Sequence, residues 1–512
     1  MKFGLADINR NSRMMSNESK DHAEGKDHAD IGELKQLIGI VEDAILPWIQ
    51  SAFKEGSKLQ EAAYQPAEMR RLLQLNCPEE AGGAALLKSS IDKVLQYSIN
   101  TWHPGFMDKL YASTNPIGVA SDLLMSALNT NSHVYHVSPA LTMIEKRVSH
   151  ELAALFGFTG PFAGGITFPG GSYSNIHSLV IARNTLYPDT KTSGNGGHAF
   201  SIFTSEHGHY SVQKAAELCG LGSNAVKKVH VDKEGRIIPQ ELESAISQSI
   251  QRGETPLYIN STMGTTVLGS FDPFEEISTI SKQHRMWHHI DGSWGGTVAF
   301  SETQRHRLKG CHLADSLTIN PHKMAGVPVT CSFLLAPDAR LFQKANSLRA
   351  EYLFHGFEGE EEEYDLADYT MGCGRRSDAL KLYLAWVYQG RRGLAERVDH
   401  AYKITAYFAN KVSSHPDLQL VSTNPPPCCQ TCFYYSPNGK LSVDANENTK
   451  RTENIANALN GEGRFLVDFA PGPYGDGNMF RAVVVSPKVN ETTIDELIEN
   501  ILRIGVHLGT RK

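Results

Sequence analysis

The chain has 512 residues, 41% hydrophobic and 21% charged, which is ordinary for a soluble globular protein with more than one domain. Its formal net charge of −7 argues against a general nucleic-acid binder, and no apolar run reaches the roughly 18 residues needed to span a membrane. Eight cysteines are too sparse for a disulfide scaffold and point to a reducing, cytoplasmic setting.

Residues 1–30 hold no apolar core of signal-peptide length and carry several acids, so they read as a disordered leader. Helical spacing of Leu34, Leu37, Ile38, Val41 and Ile45 opens a helical segment over 31–95. From 96 to 394 short apolar runs alternate with amphipathic stretches. "FSIFTS", "TPLYINST", "MWHHIDG" and "SLTIN" read as strands ending in small polar loops, with helices through "VQKAAELCGLG" and "DPFEEISTISKQH". That alternation predicts βαβ units and a mainly parallel sheet, with ligands at the carboxyl ends of the strands. Residues 395–512 read as a small α+β domain, with "CFYYS" and "FRAVVVS" as strands and a final helix whose capping box is Thr493 and Glu496.

Four loops carry the chemistry. Lys323, in "LTINPHKMAGVPVTCSFLL", places an ammonium between two apolar stretches, where it must either snorkel or hold a ligand covalently. "FPGGSYSN" offers Gly170 and Gly171 for close backbone approach and Ser172, Tyr173 and Ser174 as donors at a helix start, which suits a phosphate or merely a capped turn. Asp291 ends an apolar strand and needs a cation, a cap or an ion pair. His209, in "SEHGHYS", could stack on a flat ring or simply be solvated. Together a phosphate cradle, an acid, a stacker and a walled-in lysine fit pyridoxal 5′-phosphate. The lysine would form a Schiff base with the aldehyde, and the acid would keep the pyridine nitrogen protonated.

The motifs "PGGSYSN", "TSEHGHYS", "TMGTTVLGSFDP", "HIDGSWGG" and "NPHKMAGVPVTCS" resemble, in order, the pyridoxal-phosphate group II amino-acid decarboxylases over roughly residues 35 to 510. The resemblance implies a fold-type-I homodimer, α/β, with the active site at the subunit interface and no metal. It implies Lys323 as the Schiff-base lysine, Asp291 as the pyridinium partner and His209 as the stacking residue. The phosphate would fall to Ser172, Tyr173 and Ser174 with Asn320 and His322, and Thr266 would lie near the aspartate. Tyr364 matches the loop tyrosine that directs protonation at Cα, and the run Glu360 to Glu363 before it reads as a solvated tip.

Two features depart from the family pattern. Gly292 and Ser293 stand where alanines are usual, and "HPGFMDKLYAST" brings Lys109 in place of a glutamine and a bulky Tyr111 to the substrate pocket. "NMFRAVVVSP" and Trp294 resemble the acidic-amino-acid branch, with Arg481 at the position that binds a substrate carboxylate. Aspartate, glutamate or cysteine sulfinate is therefore the expected substrate, and an aromatic L-amino acid is the alternative, since Tyr111 could stack on a ring. A cofactor-binding pseudoenzyme is disfavoured by the joint presence of Lys323, Asp291, His209 and Tyr364. Cys429 and Cys432 form a C-x-x-C without a second ligand pair. His288 and His289 adjoin on a strand, point to opposite faces and read as structural.

Overall fold

The computed structural model describes residues 30–348 and 364–509. Most of the expected leader and the run Glu360 to Glu363 lie outside the described residues. The chain forms two compact units. One comprises the residues up to His103 with Gly461–Arg464, and the other comprises Pro104–Asn460 and the chain from Phe465 onward.

In the first unit a helix over 30–51 matches the expected periodicity, yet Leu34, Ile38 and Val41 on it are exposed. Helices Pro66–Leu73 and Gly83–Gln96 follow. Backbone hydrogen bonds from Leu59 to Gly463 (2.8 Å) and from Asn100 to Leu59 (2.7 Å) tie this unit together.

The second unit is built on two sheets. In chain order its strands are β1 (Phe106–Met107), β2 (Gly164–Phe168), β3 (Phe200–Ser205), β4 (Val226–Val229), β5 (Thr255–Thr262), β6 (Trp287–Gly292), β7 (Ser316–Ile319), β8 (Ser332–Ala336), β9 (Leu418–Leu420), β10 (Gln430–Tyr435), β11 (Leu466–Pro471) and β12 (Asn478–Val483). The larger sheet has the order β2-β8-β7-β6-β5-β3-β4. Strands β4, β3, β5, β6 and β7 run parallel, and β8 is antiparallel to both β7 and β2. The mainly parallel sheet expected from the βαβ rhythm is present.

Burial explains why these strands lack a polar face. Every residue of β3, β6, β7 and β8 is buried, as expected where both faces are covered. Neighbours along β3 and β8 serve opposite sides: Ile202 and Leu334 join one apolar cluster, while Phe203 joins a second and Phe333 and Leu335 a third. Each such side chain contributes about 1.5–3 kcal/mol by leaving water.

The smaller sheet has the order β1-β11-β12-β10-β9. It packs with the helix Ala379–Ser414, which breaks at Gly390 (φ 68°), and with the last helix, Glu491–Gly509. That last helix starts earlier than its capping-box reading. Asn490 Oδ1 accepts the N–H of Thr493 at 2.9 Å, so Asn490 is the cap and Thr493 lies inside the first turn. Among the described residues no helix is long and apolar enough to cross a membrane.

Candidate active site

The carboxyl ends of β5, β6 and β7 open onto a cavity of about 220 Å³. Register sets them side by side: Thr262 pairs with Asp291, and Asp291 with Thr318. His209 follows β3, Ser172 lies in the first turn of the helix Gly171–Leu186 after β2, and Asn320, His322 and Lys323 form the turn after β7. The cavity wall gathers Ser172, His209, Thr266, Asp291, Asn320, His322 and Lys323, seven of the residues singled out in the sequence.

Lys323 is half-buried and forms part of this wall. Its backbone N–H donates to Asn320 O at 3.0 Å, and Arg397 Nε grips the next carbonyl, Met324 O, at 2.8 Å. Desolvation lowers its pKa below the usual lysine value, against the opposing pull of Asp291. A lysine shifted this way supplies more neutral, nucleophilic amine.

Asp291 is fully enclosed. Burial would raise its pKa, but His209, Ser293 and Lys323 outweigh burial and hold the carboxyl below its ordinary range. Oδ1 accepts the N–H of Ser293 at 3.0 Å, and Oδ2 accepts Asn175 Nδ2 at 2.7 Å. Behind Asn175 runs a continuous chain of donors. Trp287 Nε1–H donates to Ser316 Oγ (2.8 Å), whose hydroxyl meets His289 Nδ1 (2.8 Å), and His289 Nε2 meets Asn175 Oδ1 (3.1 Å). Asn175 Oδ1 can only accept, which puts a proton on His289 Nε2, and burial pulls the pKa down to about 4, so the ring is neutral and Nδ1 accepts from Ser316. His288 points elsewhere and meets Ser261 (2.7 Å) and Ser278 (2.8 Å).

His209 Nδ1 accepts the N–H of Ser211 at 3.2 Å, which places its proton on Nε2. Burial lowers its pKa, which favours the neutral ring, and the side chain lines the cavity. His322 is likewise neutral, pulled to about 4 by burial, with Nδ1 engaged by Cys331.

The remaining predicted residues lie outside this wall. Ser174 is buried and its hydroxyl meets Ser332 Oγ (2.7 Å); Tyr173 is exposed beside a neighbouring cavity with Phe168 and His177. Their backbone N–H groups donate to Gly170 O, at 3.3 and 3.0 Å respectively. Tyr364 rests against Tyr135 (5.7 Å between rings) under the ammonium of Lys146 (4.8 Å). Arg481 is buried next to the site, its Nη1 donating to Thr266 O at 3.2 Å. Lys109 is exposed and paired with Asp108 and Asp468 (both 3.0 Å), and Tyr111 packs on Phe106 (5.6 Å).

Asn175, Thr262 and Gly264 also face the cavity, although the sequence reading gave them no role. For Asn175 a signal existed: it is three residues after Ser172 in a helix, so both share one face.

The wall suits a flat, phosphorylated aldehyde. Asn320 Oδ1 and Thr262 Oγ1 are buried there without hydrogen-bond partners, as expected of groups reserved for a ligand. Gly171 leaves open the space where a Cβ would come within 2.5 Å of Ser293 Oγ and 2.7 Å of Asn320 Nδ2. Among the described residues no cluster of His, Cys, Asp and Glu could hold a metal ion.

Comparison with known proteins agrees with this chemistry. The family model for the pyridoxal-dependent decarboxylase conserved domain matches residues 66–436. The L-aspartate decarboxylase dtxS4 of Metarhizium robertsii is 49% identical over 86% of this chain and 87% of its own. Human cysteine sulfinic acid decarboxylase is 32% identical over 93% of this chain and 96% of its own. The crystal structure of mouse CSAD superposes with a TM-score of 0.87 at 32% identity, covering 93% of this chain and 98% of that one. The chain therefore has the α/β fold of PLP fold type I, belongs to the pyridoxal-dependent decarboxylase family and is a PLP-dependent amino-acid decarboxylase.

Proposed function

We propose that the substrate is an acidic L-amino acid, namely aspartate, glutamate or cysteine sulfinate, which loses its α-carboxyl group as CO₂ to leave an amine. One observation carries this reading. Two cations, Arg481 and Lys109, meet on a shared carboxylate, and Arg481 donates to the carbonyl of Thr266 in the cavity wall. A side-chain carboxylate or sulfinate needs a directed donor to leave water, and Arg481 Nε is buried there without a hydrogen-bond partner. The names of the aspartate and cysteine-sulfinate relatives support the same class.

Bound pyridoxal phosphate supplies the electron sink for the bond broken at Cα. The chain's own residues hold and polarise it. Lys323 would carry the aldehyde carbon. Asp291, kept ionised and aimed by Asn175 and Ser293, would sit opposite the ring nitrogen and keep it protonated. His209 would cover the ring with a neutral imidazole. The phosphate would be met by Ser172, Asn320 and His322 at the start of the helix Gly171–Leu186. Tyr364 stands outside its own chain's cavity and would deliver its proton at Cα in the site of a second protomer.

That role belongs to the homodimer we propose for this protein, with the active site at the subunit interface. It is supported by Leu123, Leu124 and Leu128, exposed together on the helix Pro116–Leu128. All eight cysteines are unpaired thiols, which supports a cytoplasmic location.

The test is a substrate panel on purified protein supplied with pyridoxal phosphate, reading amine and CO₂ from aspartate, glutamate, cysteine sulfinate, tyrosine, tryptophan and 3,4-dihydroxyphenylalanine. Turnover of an acid is expected, with kcat/KM falling on the order of 10²-fold in Arg481→Ala. Turnover of aromatic amino acids alone would sink the reading.

A further inference from the structure

Arg481 and Lys109 are not free cations. Sheet register fixes them in a four-membered charge cluster. Arg481 on β12 lies directly across from Asp468 on β11, and Lys109 follows β1, which runs beside β11. A single oxygen, Asp468 Oδ2, lies 2.5 Å from Arg481 Nη2 and 3.0 Å from Lys109 Nζ. Lys109 Nζ is also 3.0 Å from Asp108 Oδ2, and Arg481 Nη2 donates to the carbonyl of Asp108 at 2.9 Å.

Two cations and two carboxylates leave the cluster with no net charge. Its members differ in exposure: the side chain of Arg481 is 7% exposed and that of Lys109 50%. Burial opposes the charge on Lys109, but its hydrogen bonds to Asp468 and Asp108 prevail and keep it an ammonium. Arg481 Nε is buried without a hydrogen-bond partner, so one directed donor remains unspent. The cluster reaches the cavity wall through Arg481, whose Nη1 donates to the carbonyl of Thr266 at 3.2 Å.

We infer that Asp468 is a specificity-determining residue, a built-in counter-ion that cancels one of the two cations and so limits how strongly the site draws in a substrate's second acidic group. With Asp468 in place, a dicarboxylate finds no net positive field. It must earn its place through a directed bond to Arg481, which depends on the length of its side chain. Without Asp468 the cluster carries an excess positive charge that attracts a dicarboxylate of any length. The inference rests on the acidic-substrate reading above.

The experiment uses charge sign as its control, in the full-length holoenzyme. Asp468→Asn keeps the shape and an acceptor while raising the cluster's charge by one; Lys109→Gln lowers it by one; the double variant restores neutrality. Affinities for succinate and glutarate, which cannot react, are measured by calorimetry beside KM for the acidic amino acids. Asp468→Asn should tighten both dicarboxylates by about three- to tenfold and narrow the difference between them. Lys109→Gln should weaken both, and the double variant should return toward the wild type. A merely structural role would weaken binding in all three variants, and that outcome, or no change in Asp468→Asn, overturns the inference. If the wild type turns over acids but the signs do not oppose, only the role of Asp468 fails. If it turns over aromatics alone, the acidic reading fails and this inference with it.

Discussion

At the scale of single residues, the site depends on groups that never touch the reacting atoms. Asp291 is held from both oxygens, and one of the two holds is Asn175, itself oriented by His289, Ser316 and Trp287. In a buried setting an aligned chain of this kind strengthens each member, and a missing link leaves a lone pair of a buried carboxylate unpaired. Asn175→Ala should therefore weaken cofactor binding rather than the fold. The unmet acceptor costs about 1–3 kcal/mol, or roughly a 5- to 150-fold rise in the dissociation constant of pyridoxal phosphate. Titrating the apoprotein and following visible absorbance reads this directly. An unchanged dissociation constant would mean that Ser293 alone suffices to aim Asp291.

Among the elements, strand ends and one helix start do the positioning. Strands β5, β6 and β7 were legible because their apolar runs end in small polar residues, and that punctuation also marked Asp291 and the turn containing Lys323. Some features were less legible. β1 and β9 have only two and three residues, too short for any periodicity to show. Thr493 gave a capping-box spacing, but Asn490 three residues earlier provides the cap, because two competent cap residues lay within one turn. Tyr173 and Ser174 were grouped with Ser172 by adjacency, whereas successive helical positions are rotated about 100° apart and only Ser172 faces the cavity. The pairing of Arg481 and Lys109 with Asp468 joins residues on β12, β11 and the segment after β1, far apart in the chain, and could not be read from spacing. The helix start yields its own prediction. A methyl group at Gly171 would press on Ser293 Oγ and Asn320 Nδ2, both side-chain atoms that can shift at the expense of the cradle. Gly171→Ala should fold and yet bind pyridoxal phosphate about tenfold more weakly, by the same absorbance titration. By contrast, Gly165 meets Leu334 O, a backbone atom of the paired strand β8, so Gly165→Ala should lower the melting temperature of the apoprotein as well. Equal cofactor affinity in Gly171→Ala and wild type would remove the phosphate from this helix start.

For the molecule as a whole, enclosing neutral histidines sets a pH limit. Burial draws His177, His289 and His322 down to about 4 and His288 to about 3. In the unfolded chain each would titrate near 6.5. The folded state therefore stays unprotonated where the unfolded state takes up protons, and stability present above about pH 6.5 is lost as the pH falls toward 4. Asp272 works in the opposite sense. Burial raises it to about 7, so folded protein holds that proton while the unfolded chain releases it above about pH 4. Four histidines against one aspartate leave a net uptake of about two to three protons on unfolding at pH 5.5, each worth about 1.4 kcal/mol per pH unit. Potentiometric measurement of proton uptake during urea unfolding tests this without requiring a two-state transition. His288→Gln removes one titrating ring that does not line the cofactor cavity and should reduce the uptake by about one proton while leaving substrate turnover in place. Uptake equal in variant and wild type would show that His288 is already protonated in the folded protein, in conflict with the burial that draws its pKa down to about 3.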